Sequence, residues 1–181
     1  MLDELLKTIM DDRDFKKNIT HWEVLKETGG EFADFPYEIE PELRKIYAER
    51  GIKRLYSHQR DSYDKISAGR NTVIVTPTAS GKTLCYYLPV LNHLLKHPEA
   101  RAIYLFPTKA LSQDQQSELN EVLLSGSLPV KTVTYDGDTP VSIRVAARDG
   151  GRIVITNPDM LHAGIMPNHP KWIKFLSNVK Y

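Results

Sequence analysis

Cysteine is nearly missing from this chain. Cys85 stands alone among 181 residues, so no disulfide framework can form, and such usage fits a reducing cytoplasm. One turn into a helix, Cys85 reads as a small buried apolar residue rather than a reactive thiol. A charge of one sign is missing as well. Lys and Arg number 24 against 23 Asp and Glu, a net charge of +1, so no bulk basic field advertises nucleic acid and any such binding has to be local. There is no run of eighteen apolar residues and no signal-peptide pattern, so the sequence offers no membrane segment. Among the histidines only His93 and His97 have helical i, i+4 spacing. No glutamate lies between them, which excludes the helical zinc-protease pattern and leaves surface residues near a helix end. What the chain does have is 41% hydrophobic residues, enough for a core of one domain or one domain with an appendage.

The most informative stretch is Thr76-Pro77-Thr78-Ala79-Ser80-Gly81-Lys82-Thr83. It follows an apolar run, Thr72-Val73-Ile74-Val75, and opens a helical pattern from Leu84 to Leu95. In a strand, tight loop and helix of this kind, backbone N–H groups converge on an anion and the helix N-terminus adds partial positive charge, which suits a polyphosphate. Gly81 lets the main chain come close, Lys82 supplies a cation to the outer phosphates, and the Thr83 hydroxyl can ligate the Mg²⁺ that bridges them. Thr76 departs from the general pattern, which has glycine at its first position.

Upstream, Leu2, Leu5, Leu6 and Ile9 make a short amphipathic stripe, followed by a charged stretch from Asp11 to Lys17. Residues 19 to 36 show no period and read as an irregular extended arm. Pro41 and Gly51 bracket a helix over 42–50, and Ser57 is expected to cap a second one that ends at Ala68 and Gly69. Residues 1–50 are thus expected to form a helical and extended arm, and 51–181 a nucleotide-binding domain.

Beyond the central helix one unit recurs. Strands are expected at 101–106, 130–135 and 152–155, each followed by a loop and a helix: Pro107-Thr108-Lys109 into a helix reaching about Leu124, Asp136-Gly137-Asp138-Thr139-Pro140 into a helix over 141–148, and Thr156-Asn157-Pro158 into a turn. Apolar strands alternating with helices predict an α/β fold, a parallel sheet covered on both faces, with all of these loops on its carboxyl rim.

In order and spacing, Gln59, Thr76–Thr83, Phe106-Pro107-Thr108-Lys109-Ala110-Leu111, Tyr135–Pro140 and Thr156-Asn157-Pro158-Asp159-Met160-Leu161 resemble the Q motif and motifs I, Ia, Ib-type and Ic-type of superfamily 2 DEAD/DEAH-box helicases. The wording is most similar to the bacterial mitomycin-repair (MrfA-like) DNA helicases and their fungal RecQ-like relatives, over roughly Ile19 to Tyr181. The resemblance implies the first RecA-like lobe of an ATP-dependent DNA helicase. Gln59 would read the adenine edge, with Tyr56 stacking on the base; residues 76–83 would hold ATP, with Lys82 and Thr83 as the catalytic pair. Thr108, Lys109, Gly137, Asp138, Thr139, Thr156 and Asn157 would hold the sugar-phosphate backbone of one nucleic-acid strand, DNA in preference. Hydroxyls, N–H groups and helix ends suit that work in a near-neutral chain. Read for local chemistry alone, Gln59 is a solvated helix residue, Tyr56 a core aromatic, and the loop residues ordinary turns and helix starts.

The family's motif II, an Asp-Glu pair at the next strand's end, does not occur by Tyr181. Motif III, the second lobe with its arginine finger and a cysteine-bearing C-terminal region are not seen either. The resemblance therefore implies an incomplete lobe, not competent alone, with an open sheet edge expected to make it poorly soluble or to seat a polypeptide carrying the remainder. Two alternatives stay open. One is another P-loop NTPase such as a small-molecule kinase, with Asp136 as metal ligand; the other is a non-catalytic remnant that binds nucleic acid or a partner.

Overall fold

The computed structural model describes residues 2–24 and 29–181, and it divides the chain into two compact units, Met1–Gly30 and Glu31–Tyr181. In the first, the apolar stripe forms α1 (Leu2–Asp11). Asp12 then caps α2 (Arg13–Lys16), its carboxylate accepting the N–H groups of Asp14 and Phe15 at 2.8 and 3.1 Å. The part of the expected arm at 25–28 lies outside the described residues.

The second unit begins inside the stretch read as an extended arm. Phe32–Ala33 (β1) pairs antiparallel with Leu55–Tyr56 (β2), around the helix α3 (Pro41–Glu49). Pro41 opens α3 and Gly51, at φ 85°, turns the chain after it. The next helix, α4 (Ser57–Ser67), is capped one residue earlier than expected. Tyr56 is its N-cap because the Gln59 side chain reaches back to accept the Tyr56 N–H at 2.9 Å, which makes Ser57 the first helical residue.

Then follow α5 (Lys82–Lys96), β3 (Ala102–Leu105), α6 (Lys109–Ser125), β4 (Thr132–Thr134), α7 (Val141–Gly150) and β5 (Ile153–Thr156). A short helix α8 (Pro158–Met160), a π turn, a 3-10 turn and α9 (His169–Leu176) complete the path. The three later strands form the expected parallel sheet, in the order β3-β5-β4. Alternate residues of β5 face opposite ways, as strand geometry requires. Ile153 and Ile155 join a core with Leu43, Leu88, Leu91 and Leu119, while Val154 joins another with Val133, Trp172 and Phe175. Both faces are therefore covered, and each such side chain taken out of water contributes about 1.5–3 kcal/mol.

Thr72–Val75 differs from expectation. It makes no ladder hydrogen bonds among the described residues, and Val73 and Val75 are 90% and 88% exposed. A strand exists through its neighbours, and here there are none. On the far side of the gap, residues 178–181 begin to line the free edge of β3: the Arg101 N–H donates to the Asn178 carbonyl, Lys180 N–H to Arg101, and Ile103 N–H to Tyr181, all at 2.9 Å. Beyond Ile103 the edge faces a groove of about 540 Å³, whose opposite wall includes Arg70, Asn71 and Thr72. Tyr104 of β3 also lines this groove, and its hydroxyl is buried with no hydrogen-bond partner among the described residues.

Candidate nucleotide loop and carboxyl rim

The loop before α5 is fastened from one side by α4. Gln59 is 5% exposed, and its amide works at both ends: Oε1 accepts from Tyr56, and Nε2 donates to the Gly81 carbonyl at 3.0 Å. His58 reaches the Ser80 carbonyl at 3.0 Å, and the Thr76 and Ser80 hydroxyls share a hydrogen bond of 2.6 Å. Gly81 is required twice over. Its φ of 74° lies in the left-handed region, and a Cβ there would come within 2.6 Å of the Gln59 amide nitrogen. Ala79, at φ 60°, holds a left-handed conformation that non-glycine residues rarely adopt. Alternation of this kind turns successive N–H groups toward one concavity, the form of an anion cradle. The Lys82 ammonium lies over the loop, donating to the Thr76 and Pro77 carbonyls at 2.9 and 2.6 Å. A cation held by carbonyls at that spot is placed to exchange them for phosphate oxygens.

Beside the loop is a cavity of about 500 Å³, within the usual range for a small-molecule site, lined in part by Phe32, Arg54, Tyr56, Gln59, Ala79 and Gly81. Its aromatic wall is a stack. Phe32 lies on Tyr56 at 4.9 Å and 26°, and Tyr56 on His58 at 5.7 Å and 12°. A space of about 300 Å³ adjoins it, lined by Gln59, Gly81, Thr83 and Tyr47, whose buried hydroxyl has no hydrogen-bond partner among the described residues. Phe32 is the residue sequence reasoning missed. It sits in a stretch without periodicity and reaches the loop only through the β1–β2 ladder. The donors and concavity fit a polyphosphate, and Thr83, whose hydroxyl meets the side chain of Tyr86, could hold a cation beside it.

At the carboxyl rim the expected residues divide. Thr108 caps α6, its hydroxyl accepting the Leu111 N–H at 3.2 Å, and Asn157 caps α8 through Met160 at 2.7 Å. Both caps lie at helix starts on the rim. Lys109 and Asp138, each expected to touch a strand, touch one another at 2.5 Å. The ammonium holds the Asp138 carboxyl below the usual carboxylate range, and the carboxylate holds the ammonium above its own. Two other hydroxyls turn inward. Thr156, 1% exposed, donates to the Tyr135 carbonyl at 2.6 Å, and Thr139 accepts the Asp136 N–H at 2.8 Å. Buried ladders and turns claim them first because a lone buried hydroxyl is costly. Asp136 likewise serves its own turn, one carboxylate oxygen accepting from the Asp138 N–H and the Thr139 hydroxyl at 3.0 and 2.9 Å. Among the described residues no group of three or more His, Cys, Asp or Glu could hold a metal. Arg144, also missed, fixes this loop by donating to the carbonyls of Thr139, Asp136 and Gly137 at 2.8, 3.2 and 3.0 Å. A cation early in a helix runs against the dipole, and that misfit was its available signal. Cys85 is buried, and burial pushes its thiol up.

A parallel α/β sheet whose phosphate-type loop opens the helix α5 defines the class of P-loop proteins with a RecA-like lobe. The DEAD/DEAH box helicase family profile matches residues 56–181, and the chain belongs to that family. YprA of Bacillus subtilis, described as an uncharacterized ATP-dependent helicase, is 44% identical over 176 residues, covering 97% of this chain and 24% of that protein. The ATP-dependent helicase HRQ1 of Saccharomyces cerevisiae is 36% identical, over 98% of this chain and 16% of that one. The crystal structure of the helicase MrfA bound to DNA and AMPPNP superposes with a TM-score of 0.86 at 43% identity, over 98% of this chain and 24% of that one. The chain thus spans a quarter or less of these relatives. The resemblance to this helicase group and the RecA-like α/β fold are both borne out. No helix among the described residues is long and apolar enough to cross a membrane.

Proposed function

We propose that this chain is the ATP-binding and strand-holding N-terminal lobe of a cytoplasmic, ATP-dependent DNA helicase of the repair type. ATP and its Mg²⁺ sit on Thr76–Thr83 with the base toward Phe32, Tyr56 and Gln59. One nucleic-acid strand crosses the rim over Thr108, Lys109 and the 136–139 and 156–157 loops. The observation that carries the reading is the loop itself: Gly81 pinned under Gln59, and Lys82 folded onto carbonyls it can leave for phosphates. Similarity to MrfA, whose structure holds DNA and AMPPNP, supports it. Backbone contacts by N–H groups and a lysine carry little sequence information, so binding should be weakly selective.

Phosphoryl transfer also needs positioned acidic and cationic groups, and neither Asp136 nor the rim residues are arranged to supply them. We assign that role to a further polypeptide segment seated in the groove beside β3, where the strand edge beyond Ile103 and the apolar walls Ile66, Val90 and Leu105 favour an extended, apolar partner. The test is ATP affinity and oligonucleotide-stimulated hydrolysis for the 181-residue chain and for Lys82→Ala. The expected result is measurable ATP binding with negligible turnover, weakened roughly ten- to hundredfold by the substitution, the scale of a lost charge-assisted hydrogen bond. Hydrolysis that survives Lys82→Ala would exclude the loop as its source.

A further inference from the structure

Behind the Asp136–Thr139 loop, between α7 and α9, lies a cavity of about 210 Å³. Arg144, Arg148 and Lys171 line it with Asn168, Tyr135 and Trp172, and no carboxylate does. Arg144 and Arg148 stand at i and i+4 on one face of α7, a spacing at which like charges repel. Lys171 faces them from α9, with no hydrogen bond or ion pair among the described residues. The carboxylate of Asp149 accepts from the Nε of Arg148 at 2.9 Å and is itself exposed, and the terminal amino groups of that guanidinium have no partner among the described residues.

The floor is apolar and rigid. Trp172 is 3% exposed and meets Tyr135 edge-on at 5.1 Å and 90°. Charges above such a floor act through a poorer dielectric than charges in open water. Arg144 is not free to serve as a ligand, since it lies over the Tyr135 ring and donates to three rim carbonyls. It joins the cavity to the rim loop instead. The space is smaller than a usual small-molecule site, so a phosphate group with little attached is the occupant that size and charge allow.

We propose that this cavity binds one backbone phosphate of the strand that passes over the Asp136–Thr139 loop, with Arg148 and Lys171 supplying the charge and Trp172 the floor. The inference rests on the strand-holding reading above and extends the track from the loop onto α7 and α9. Such a contact is indifferent to sequence and costs affinity as salt rises.

The experiment measures binding of the full 181-residue chain to a fluorescein-labelled single-stranded oligonucleotide across a salt series. The double variant Arg148→Gln/Lys171→Gln should flatten the slope of log affinity against log salt by about 0.7 and weaken binding about fivefold at 0.1 M salt, the single-strand value for one phosphate. The double variant Arg148→Lys/Lys171→Arg should keep the wild-type slope. In a Trp22→Phe background the oligonucleotide should quench the remaining Trp172 emission. An unchanged slope in the double glutamine variant, with Lys109→Gln still lowering it, overturns the inference and leaves the rim reading standing. Failure of wild type to bind at low salt overturns the rim reading and this inference with it. Inorganic phosphate that quenches Trp172 and displaces the oligonucleotide at equal phosphate concentration overturns the strand assignment in favour of a free-anion site.

Discussion

Thr72-Val73-Ile74-Val75 and Ile153-Val154-Ile155-Thr156 are nearly the same four residue types, and they meet opposite fates. In β5, Ile153, Val154 and Ile155 are 0% exposed, with β3 on one side and β4 on the other. In the stretch before the nucleotide loop, Val73 and Val75 are 90% and 88% exposed and nothing among the described residues pairs with them. β-branched residues fit a pleated, half-buried surface, and they do not make one. The difference lies in the neighbours: β5 has ladders on both edges, and the earlier run has none among the described residues, with only Thr72 at the wall of the groove beside β3.

The sharpest way to break this comparison is to cut equivalent side chains in both runs. Ile155→Ala should cost about 2–4 kcal/mol in urea unfolding, because it leaves a cavity between the sheet and α5. Val73→Ala should stay within about 0.5 kcal/mol. A cost at Val73 approaching that at Ile155 would mean that something covers the run in solution, most simply another copy meeting the open edge, and light scattering would show the association.

Amide exchange tests the same contrast without substitution. The Tyr135 N–H donates to the Ile155 carbonyl at 2.8 Å, and the Phe106 N–H to Thr156 at 2.9 Å. These should exchange only through global opening, roughly a thousandfold or more slower than an unstructured amide. The amides of Val73, Ile74 and Val75 should exchange near the unprotected rate. A polypeptide that fills the groove should slow them toward the β5 class, and equal protection in the unaccompanied chain would break the comparison outright.

The two runs also mark what was legible in the sequence. Helices α1 and α3 to α7, the three parallel strands, and the places of Gly81 and Lys82 in the loop followed from local signals: periodicity, punctuation and a strand-loop-helix pattern; α2 and α9 were not expected. What failed depends on partners distant in the chain. The Phe32–Tyr56 stack needs a ladder of two residues per strand, too short to show a period. Gln59 reads as a solvated residue until Gly81 is placed beneath it. Thr139 and Thr156 look like Thr108 in the sequence, and only the turn and ladder carbonyls around them decide that two hydroxyls point inward and one caps a helix. The run at 72–75 fell in the same class: its pattern is that of a strand, and no strand forms there because nothing among the described residues pairs with it.

The smallest expected effect lies at the groove's entrance, where His93 meets Tyr181 edge-on at 5.3 Å and lies 4.2 Å from His97. Burial, then His97 and Lys180, hold the His93 imidazole below its ordinary value of 6.5. The folded chain therefore binds this proton less readily than the unfolded one. Its neutral form supports the 178–181 line fully above pH 6.5, and that support is lost as pH falls below 6.5 and through the depressed value. Protonation would place a third cation beside Lys180 and any charged His97, loosening the segment whose Tyr181 carbonyl accepts the Ile103 N–H. Corrected for intrinsic rates, protection of the Ile103 amide should fall by about two- to threefold between pH 7.5 and 5.5, a modest change because His93 is only partly buried. His93→Gln should abolish that dependence and leave the β5 amides unmoved. A parallel loss across β5 would instead trace the pH effect to global stability, and the open edge would no longer differ from the buried strand.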